Sequence, residues 1–98
     1  MKKHLNIKIT GKVQGVWFRD STKAVANQLG ITGFVRNEPD GSVYAEAEGT
    51  SLKLNNFVEW CREGPDRAEV SDVQVTENDH LQDFRDFVVR KKDIFGPK

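Results

Sequence analysis

Apolar and polar residues alternate along several short stretches of the chain, a period of two that is typical of strands with one buried face. Leu5, Ile7 and Ile9 mark the first stretch, and Val43, Ala45 and Ala47 mark the run from Ser42 to Glu48. The run from Ile31 to Arg36, which lies between them in the chain, is interpreted as the second strand. The first stretch ends at Gly11, and Pro39-Asp40-Gly41 predicts a hairpin turn between the other two. Weaker patterns at Val70, Val73 and Val75, and at Phe87 and Val89, predict a fourth strand and a short last strand.

Two further segments have their apolar residues three and four positions apart, which is helical spacing. The first consists of Phe18, Thr22, Val25, Ala26 and Leu29 with Gly30 as terminator, and the second of Leu54, Phe57, Val58 and Cys61 between a cap at Thr50 or Ser51 and a stop at Gly64-Pro65. The element order is therefore βαββαβ with one additional strand. Because two such helices can bury their apolar stripes together only on one face of a sheet, we predict an α+β, two-layer ferredoxin-like sandwich with an antiparallel sheet and both helices on one face.

The composition fits one globular domain. At 98 residues the chain can build one hydrophobic core, and no apolar run approaches the roughly 20 residues that span a bilayer. Fifteen basic and fifteen acidic residues give a formal net charge of +0, which provides no overall attraction to nucleic acid or to an anionic membrane. We therefore expect no nucleic-acid partner and no membrane partner, and any bound anion must be held by a local site.

The start of the chain and its single cysteine indicate a cytoplasmic protein. The first residues alternate between apolar and polar instead of forming the continuous apolar block of an export signal. Cys61 is the only cysteine, so it cannot form an internal disulfide.

The segment between the first strand and the first helix has the most informative chemistry. It reads Gly-Lys-Val-Gln-Gly-Val-Trp-Phe-Arg over residues 11–19. A glycine loop at a helix start can direct several backbone N–H groups at one anion, and Arg19 could hold two phosphate oxygens at once. From the loop alone, the alternative that the glycines only permit a turn and that Arg19 is solvated stays open. The glycine spacing matches neither the dinucleotide fingerprint nor the Walker loop.

This segment and positions spread along the rest of the chain resemble the acylphosphatases. The other matching positions are Thr22, Ala26, Leu29-Gly30, Gly33, Val35, Asn37, Asp40-Gly41-Ser42-Val43, Glu48-Gly49 and Gly64-Pro65. The resemblance covers residues 1–92, which we interpret as an acylphosphatase-like domain, and leaves residues 93–98 as a C-terminal tail. Trp17 and Glu38 occupy positions that vary in the family, and Glu38 could add negative charge near the substrate.

The resemblance implies an enzyme, a metal-independent hydrolase of acyl phosphates that needs no cofactor and acts as a monomer. It implies that the phosphate is bound by Gln14, Gly15, Val16, Trp17, Phe18 and Arg19. Arg19 would clamp the phosphate and Asn37 would position the attacking water. From the residues alone, Asn37 could instead be a turn former before Pro39. Little in the sequence defines a site for the acyl group, so we expect broad acyl tolerance.

The chemistry of an acyl phosphate explains how so few residues could suffice. The leaving group is a carboxylate whose conjugate acid has a pKa of about 4, so it needs no proton from the enzyme. What remains is to stabilise charge on the phosphoryl oxygens and to hold water in line. Asn37 can orient that water but cannot deprotonate it, and the resemblance implies that the substrate phosphate accepts the proton.

Several other residues are interpreted as structural. His4, His80 and Cys61 lack the spacing of a metal site, and Cys61 lies on the apolar stripe of the second helix. Glu46 and Glu48 share one strand face and could form a carboxylate pair, but we expect them to face water.

Two functions of other classes compete with hydrolysis. The same element order builds a common RNA-binding module, but the third strand offers only Tyr44 beside Glu46 and Glu48. A catalytically silent interaction domain is the second rival, since acylphosphatase-like domains also occur within larger hydrogenase-maturation proteins. The presence of both Arg19 and Asn37 favours activity.

Overall fold

Five strands and two helices follow one another in the predicted order. The computed structural model describes residues 1–90, and Lys91, Lys92 and the predicted tail 93–98 lie outside the described residues. The elements are β1 (Lys2–Lys12), α1 (Phe18–Leu29), β2 (Thr32–Asn37), β3 (Val43–Thr50), α2 (Ser51–Glu63), β4 (Glu69–Asn78) and β5 (Phe87–Arg90). The ferredoxin-like sandwich is therefore confirmed. No helix in residues 1–90 is long and apolar enough to cross a bilayer.

The strands form one sheet in the order β4-β1-β3-β2-β5. The four strands β1 to β4 pair antiparallel, as expected, but β5 runs parallel to β2, so the sheet is mixed and the expectation of a wholly antiparallel sheet is wrong. The reason lies in the connection between β4 and β5, residues 79–86, which we call the crossover segment. Because β4 ends where β2 begins and β5 lies at the opposite edge, the chain crosses that end of the sheet and β5 then follows the direction of β2.

The core lies between the helices and one face of the sheet. The predicted apolar stripe of α2 is buried throughout, at Leu54, Phe57, Val58 and Cys61, and Phe18, Thr22 and Ala26 are buried in α1. The Thr22 hydroxyl donates to the Phe18 carbonyl oxygen at 2.7 Å, so the polar atom in this stripe is satisfied. Facing them from the sheet are Leu5, Ile7, Ile9, Val35, Val43, Ala45, Ala47 and Phe87. Each large aliphatic or aromatic side chain buried here contributes roughly 1.5–3 kcal/mol, so this face holds the two layers together.

The two ends of the sheet have different surroundings. At one end β1 and β2 finish at Lys12 and Asn37 and β3 begins, and we call this the pocket end. At the other end β1 and β2 begin, β3 finishes, and the crossover segment passes over the sheet; we call this the crossover end.

At the crossover end, the expectation that Glu48 faces water is wrong. Glu48 is only 3% exposed and His4 only 1%. The crossover segment covers this part of the sheet face opposite the helices, since Phe84 stacks on His4 with ring centroids 5.9 Å apart. The strand pattern predicts which residues share a face, but a distant segment decides whether water reaches that face. Glu46 is less covered, with 22% of its side chain exposed.

Candidate active site

The loop between β1 and α1, residues 13–17, is held in place by buried side chains. Val13 and Val16 point into the core and are 1% and 7% exposed. Gly15 and Trp17, which are exposed, both have left-handed backbone conformations, with φ of 73° and 64°. Glycine adopts this conformation readily, whereas a residue with a large side chain does so at a cost of roughly 1–2 kcal/mol. The loop is therefore a fixed bend rather than a free connection.

Gly11 permits the close packing from which this loop starts. The pairing of β1 with β4 shifts register between Thr10 and Gly11. A Cβ atom at Gly11 would collide with the carbonyl oxygen of Glu69 and the backbone nitrogen of Ser71, and φ is 127°. Only glycine fits this bulge without displacing β4.

The Gln14 side chain ties the loop to the β2–β3 turn. Its Nε2 donates to the carbonyl oxygens of Glu38 and Ser42, both at 2.8 Å. These two carbonyl groups lie at the two sides of the turn that follows Asn37. Because an amide nitrogen has two donors, both are engaged by the turn, so Gln14 could reach a phosphate only through its backbone N–H.

Arg19 and Asn37 line one pocket at the pocket end of the sheet. Asn37 lies opposite Val43, so the pleat directs its side chain to the same face as Val35, the helix face, just beyond the core. Arg19 is the second residue of α1. The pocket has a volume of about 270 Å³, and its other lining residues are Val13, Gly15, Trp17, Phe18 and Asp20. This is near the lower end of the usual range for small-molecule sites, roughly 300–1,000 Å³, so a small ligand fits it best.

The polar groups around this pocket have no partners among the described residues. Within residues 1–90, neither the Arg19 guanidinium nor the Asn37 carboxamide forms a hydrogen bond or an ion pair. The same holds for hydrogen bonds from the backbone N–H groups of residues 15–17 to that part of the chain. The start of α1 adds unpaired amides and the positive end of the helix dipole. Together these groups can bind a small anion with several oxygen atoms.

Of the sequence-predicted phosphate-binding residues, Gly15, Trp17, Phe18 and Arg19 line the pocket, together with Asn37. Gln14 and Val16 do not line it, because their side chains reach the turn and the core. Sequence reasoning missed Asp20, which also lines the pocket. An acidic residue in the first turn of a helix is common because it interacts favourably with the helix dipole. The position of Asp20 in the sequence therefore does not indicate a ligand site.

The turn beyond Asn37 is held by the carboxylate of Asp40. Asp40 accepts hydrogen bonds from the Ser42 hydroxyl at 2.6 Å and the Ser42 N–H at 2.9 Å, and Lys8 Nζ lies 3.2 Å from it. The Ser42 hydroxyl, the Ser42 N–H and Lys8 lower the pKa of Asp40 to about 2. The carboxylate therefore stays ionised and holds the turn at neutral pH.

The Glu38 carboxylate pairs with Arg36 rather than lining the pocket. Arg36 Nε lies 2.5 Å from Glu38 Oε2. The Arg36 guanidinium in turn lies over the Tyr44 ring, 4.9 Å from its centroid. The negative charge that the sequence placed near the substrate is thus compensated by a neighbouring cation.

Cys61 is a core residue, as interpreted from its place on the helix. It is fully buried, and burial raises the pKa of its thiol to about 12, so it is not available as a nucleophile at neutral pH. Within residues 1–90, no group of three or more His, Cys, Asp or Glu side chains is arranged to hold a metal ion.

Comparisons with known proteins agree with this geometry. The family model described as Acylphosphatase matches residues 5–89. The acylphosphatase of Marinobacter nauticus is 52% identical over 79 residues, which cover 81% of this chain and 86% of the relative. Among solved structures, the acylphosphatase from Coxiella burnetii has a TM-score of 0.87 at 38% identity, covering 91% of this chain and 93% of that one. The acylphosphatase from Bacillus subtilis has a TM-score of 0.88 at 34% identity, covering 92% and 99%.

Proposed function

Because the chain belongs to the acylphosphatase family and is a hydrolase of acyl phosphates, we propose that Arg19 binds the phosphoryl group in its pocket and that Asn37 orients the attacking water. One observation carries this proposal. Arg19 and Asn37 line the same small pocket, and in residues 1–90 neither side chain has a protein partner. Polar groups without partners around a concave surface are expected where a ligand supplies the missing interactions.

The phosphoryl oxygens would be held by two kinds of donor. The backbone N–H groups of residues 15–17 and of the first turn of α1 provide fixed dipoles, and the planar Arg19 guanidinium can donate to two oxygens at once. These donors need no reorganisation when charge develops in the transition state, which is the largest effect that such a site can exert. Val13 and Val16 support this arrangement by anchoring the loop in the core.

Asn37 would place the nucleophile. Its carboxamide oxygen can accept a hydrogen bond from water and so fix the water oxygen in line with the bond that breaks. The water oxygen bonds to phosphorus while the bond from phosphorus to the acyl oxygen breaks, and its electron pair leaves with the carboxylate. The water proton passes to a phosphate oxygen. The products are a carboxylate and inorganic phosphate, and no side chain changes protonation.

Gln14 would act as a positioning residue in this scheme. It joins the loop beside Arg19 to the turn that follows Asn37, so the two functional groups are held relative to each other. A displacement of about 1 Å between reacting groups can reduce a rate by about a hundredfold. The phosphate contacts would therefore come from residues 15–19 and from the Gln14 backbone.

We also propose that residues 1–92 act as a monomeric cytoplasmic domain without a cofactor or a nucleic-acid partner. The family model matches residues 5–89, which supports the bounds proposed for this domain. The RNA-binding alternative would need accessible aromatic rings on the central strands. Tyr44 is half-buried, and burial together with its hydrogen bond to Glu46 raises its pKa to about 12. An aromatic ring beside an acidic group and under Arg36 is a poor platform for a base.

Replacing each of the two functional residues tests the proposal. We expect Arg19→Ala and Asn37→Ala each to lower kcat/KM for benzoyl phosphate by about 10²–10³-fold, since each removes one preorganised group. The free energy of unfolding in urea should change by less than about 0.5 kcal/mol, because neither side chain has a partner to lose within residues 1–90.

Matched controls are available on α2. Within the described residues Arg62 pairs only with Glu59 of the same helix, and Asn55 is exposed, so Arg62→Ala and Asn55→Ala should keep wild-type activity. A folded Asn37→Ala enzyme with wild-type kcat/KM would contradict the proposed role of Asn37.

A further inference from the structure

The most exposed apolar side chain among the described residues of the pocket lining is the indole of Trp17. This side chain is 72% exposed, although the residues on either side of it, Val16 and Phe18, are buried. An exposed tryptophan alone needs no functional explanation. Here, however, the residue also lines the pocket that contains Arg19 and Asn37.

The backbone holds this indole at the rim. Trp17 has φ of 64° and ψ of 21°, a left-handed conformation that is unfavourable for a large side chain, and it is the residue directly before α1. Its carbonyl oxygen accepts the first hydrogen bond of the helix, from Ser21 N–H at 3.0 Å. The conformation therefore belongs to the helix start, and it turns the side chain away from the core. Strained backbone of this kind is concentrated at ligand sites.

The reaction geometry directs the acyl group away from the attacking water and toward the opening of the pocket. In-line attack places the leaving carboxylate on the side of phosphorus opposite the water, so the acyl group extends out of the phosphate-binding part of the pocket. The other described residues of the lining offer it little apolar area. Val13 and Phe18 line the pocket but are only 1% and 2% exposed, and Gly15 has no side chain. Arg19, Asp20 and Asn37 are polar, so among the described lining residues Trp17 presents the most exposed apolar surface to an acyl group.

We propose that Trp17 is a specificity-determining residue whose indole packs against the acyl group of the substrate. The enzyme then favours acyl phosphates with an aromatic or other large apolar acyl group over acetyl phosphate. This inference rests on the proposed placement of the phosphoryl group beside Arg19. It narrows the broad acyl tolerance expected from the sequence, because one side of the acyl group meets a fixed aromatic surface.

The ratio of kcat/KM for benzoyl phosphate to that for acetyl phosphate tests the inference. Stacking of two aromatic rings is worth enough to change this ratio about fivefold, so we expect Trp17→Ala to lower it by at least about fivefold. Trp17→Phe keeps an aromatic face and should keep most of the wild-type ratio. Leu52→Ala removes another exposed apolar side chain, 71% exposed on α2 and outside the pocket, and should leave the ratio unchanged.

Binding of non-hydrolysable probes gives a second readout. Phenylphosphonate should change tryptophan fluorescence more than methylphosphonate or inorganic phosphate does, and the difference between the probes should disappear in Trp17→Phe. The other tryptophan, Trp60, packs against Phe18 with ring centroids 5.5 Å apart and is present in both proteins.

Two results would overturn the inference. An unchanged substrate ratio in Trp17→Ala would show that the acyl group does not touch the indole. Equal losses with both substrates, together with weaker inhibition by inorganic phosphate, would show that Trp17 acts only through the conformation of the loop. Failure of the phosphate site itself would appear separately, as full activity of Arg19→Ala with both substrates.

Discussion

The two ends of the sheet both have polar and charged side chains that are buried or partly buried, but these side chains differ in whether they have partners. At the crossover end, His4 Nδ1 lies 2.7 Å from Glu48 Oε2, and its Nε2 lies 3.1 Å from Asn6 Oδ1. At the pocket end, Arg19 and Asn37 have no partner within residues 1–90. The comparison teaches that a buried charge is not itself a sign of function. What distinguishes the pocket end is that Arg19 and Asn37 line a concave surface without partners in the part of the chain that the structure describes.

The crossover end uses its charges to attach a distant segment. The Glu48 carboxylate accepts hydrogen bonds from the backbone N–H groups of Gln82 and Asp83, the latter at 3.0 Å. His4 Nε2 also lies 3.0 Å from Glu46 Oε1. Burial by itself would raise the pKa of Glu48, but the hydrogen bonds from His4, Gln82 and Asp83 outweigh it and lower the pKa. Glu48 therefore attaches the crossover segment to the sheet before the chain enters β5, and we call it the anchor of this segment.

The largest expected effect concerns this anchor. Glu48→Ala removes the carboxylate from a buried pair and leaves His4 and two backbone N–H groups without their acceptor. We expect the free energy of unfolding in urea to fall by about 3–5 kcal/mol. The kcat/KM of the molecules that remain folded should stay close to that of the wild type, because the pocket lies at the other end of the sheet.

The control for this prediction is an exposed carboxylate of the same type. Glu59 lies 3.7 Å from Arg62 on the surface of α2, and Glu59→Ala should change stability by less than about 1 kcal/mol. If Glu48→Ala were as mild as Glu59→Ala, the contrast between the two ends would be lost.

A smaller effect is expected for Gln14, a pocket-end side chain that, like Glu48 at the crossover end, joins two distant segments through hydrogen bonds. Gln14 is a pocket-end side chain whose donors are both satisfied, by the carbonyl oxygens of Glu38 and Ser42. Loss of two such hydrogen bonds loosens the loop relative to Asn37, and we expect Gln14→Ala to lower kcat/KM for benzoyl phosphate about tenfold.

The Gln14 prediction can be separated from a general loss of stability. Gln82 is exposed and, among the described residues, it forms a hydrogen bond only through its backbone N–H, so Gln82→Ala is a matched control that should keep wild-type activity. A Gln14→Ala enzyme that is less stable but has the wild-type kcat/KM would assign Gln14 a structural role only.

The smallest effect is a pH dependence of stability that arises at the crossover end. Burial by itself would lower the pKa of His4, but hydrogen bonds to Glu48 and Asn6 and the charges of Glu46 and Glu48 together raise it above 6.5. Since the folded state binds this proton more tightly, the stabilisation is complete below pH 6.5 and is lost as pH rises through the raised pKa. One proton limits the slope to about 1.4 kcal/mol per pH unit.

Urea unfolding between pH 6 and 9 measures this slope. His4→Gln should remove the decline above pH 6.5, whereas His80→Gln, which alters an exposed histidine, should keep it. A decline that persists in His4→Gln would mean that another group is responsible.

Much of the fold could be predicted from the sequence, because its determinants are local. The period of two in β1 and β3 and the helical spacing in α1 and α2 place the apolar residues of each element on one face, and these residues are buried in the core or packed against it. The segment 11–19 and Asn37 marked the candidate site through their residue types and family resemblance. The structure brings Arg19 and Asn37 to one pocket, and their catalytic roles stay predictions.

The tertiary structure alone decided what lies over each face and which groups find partners. Glu48 and the backbone of Gln82 are 34 residues apart, and Gln14 and Ser42 are 28 apart, so no local pattern reports their contacts. The parallel pairing of β5 with β2 also could not be predicted from a local pattern, because these two strands are far apart in the sequence. Local sequence determines the direction in which a side chain points, because backbone geometry repeats over a few residues. Its burial, charge state and freedom to bind a ligand depend on segments that only the folded chain brings together.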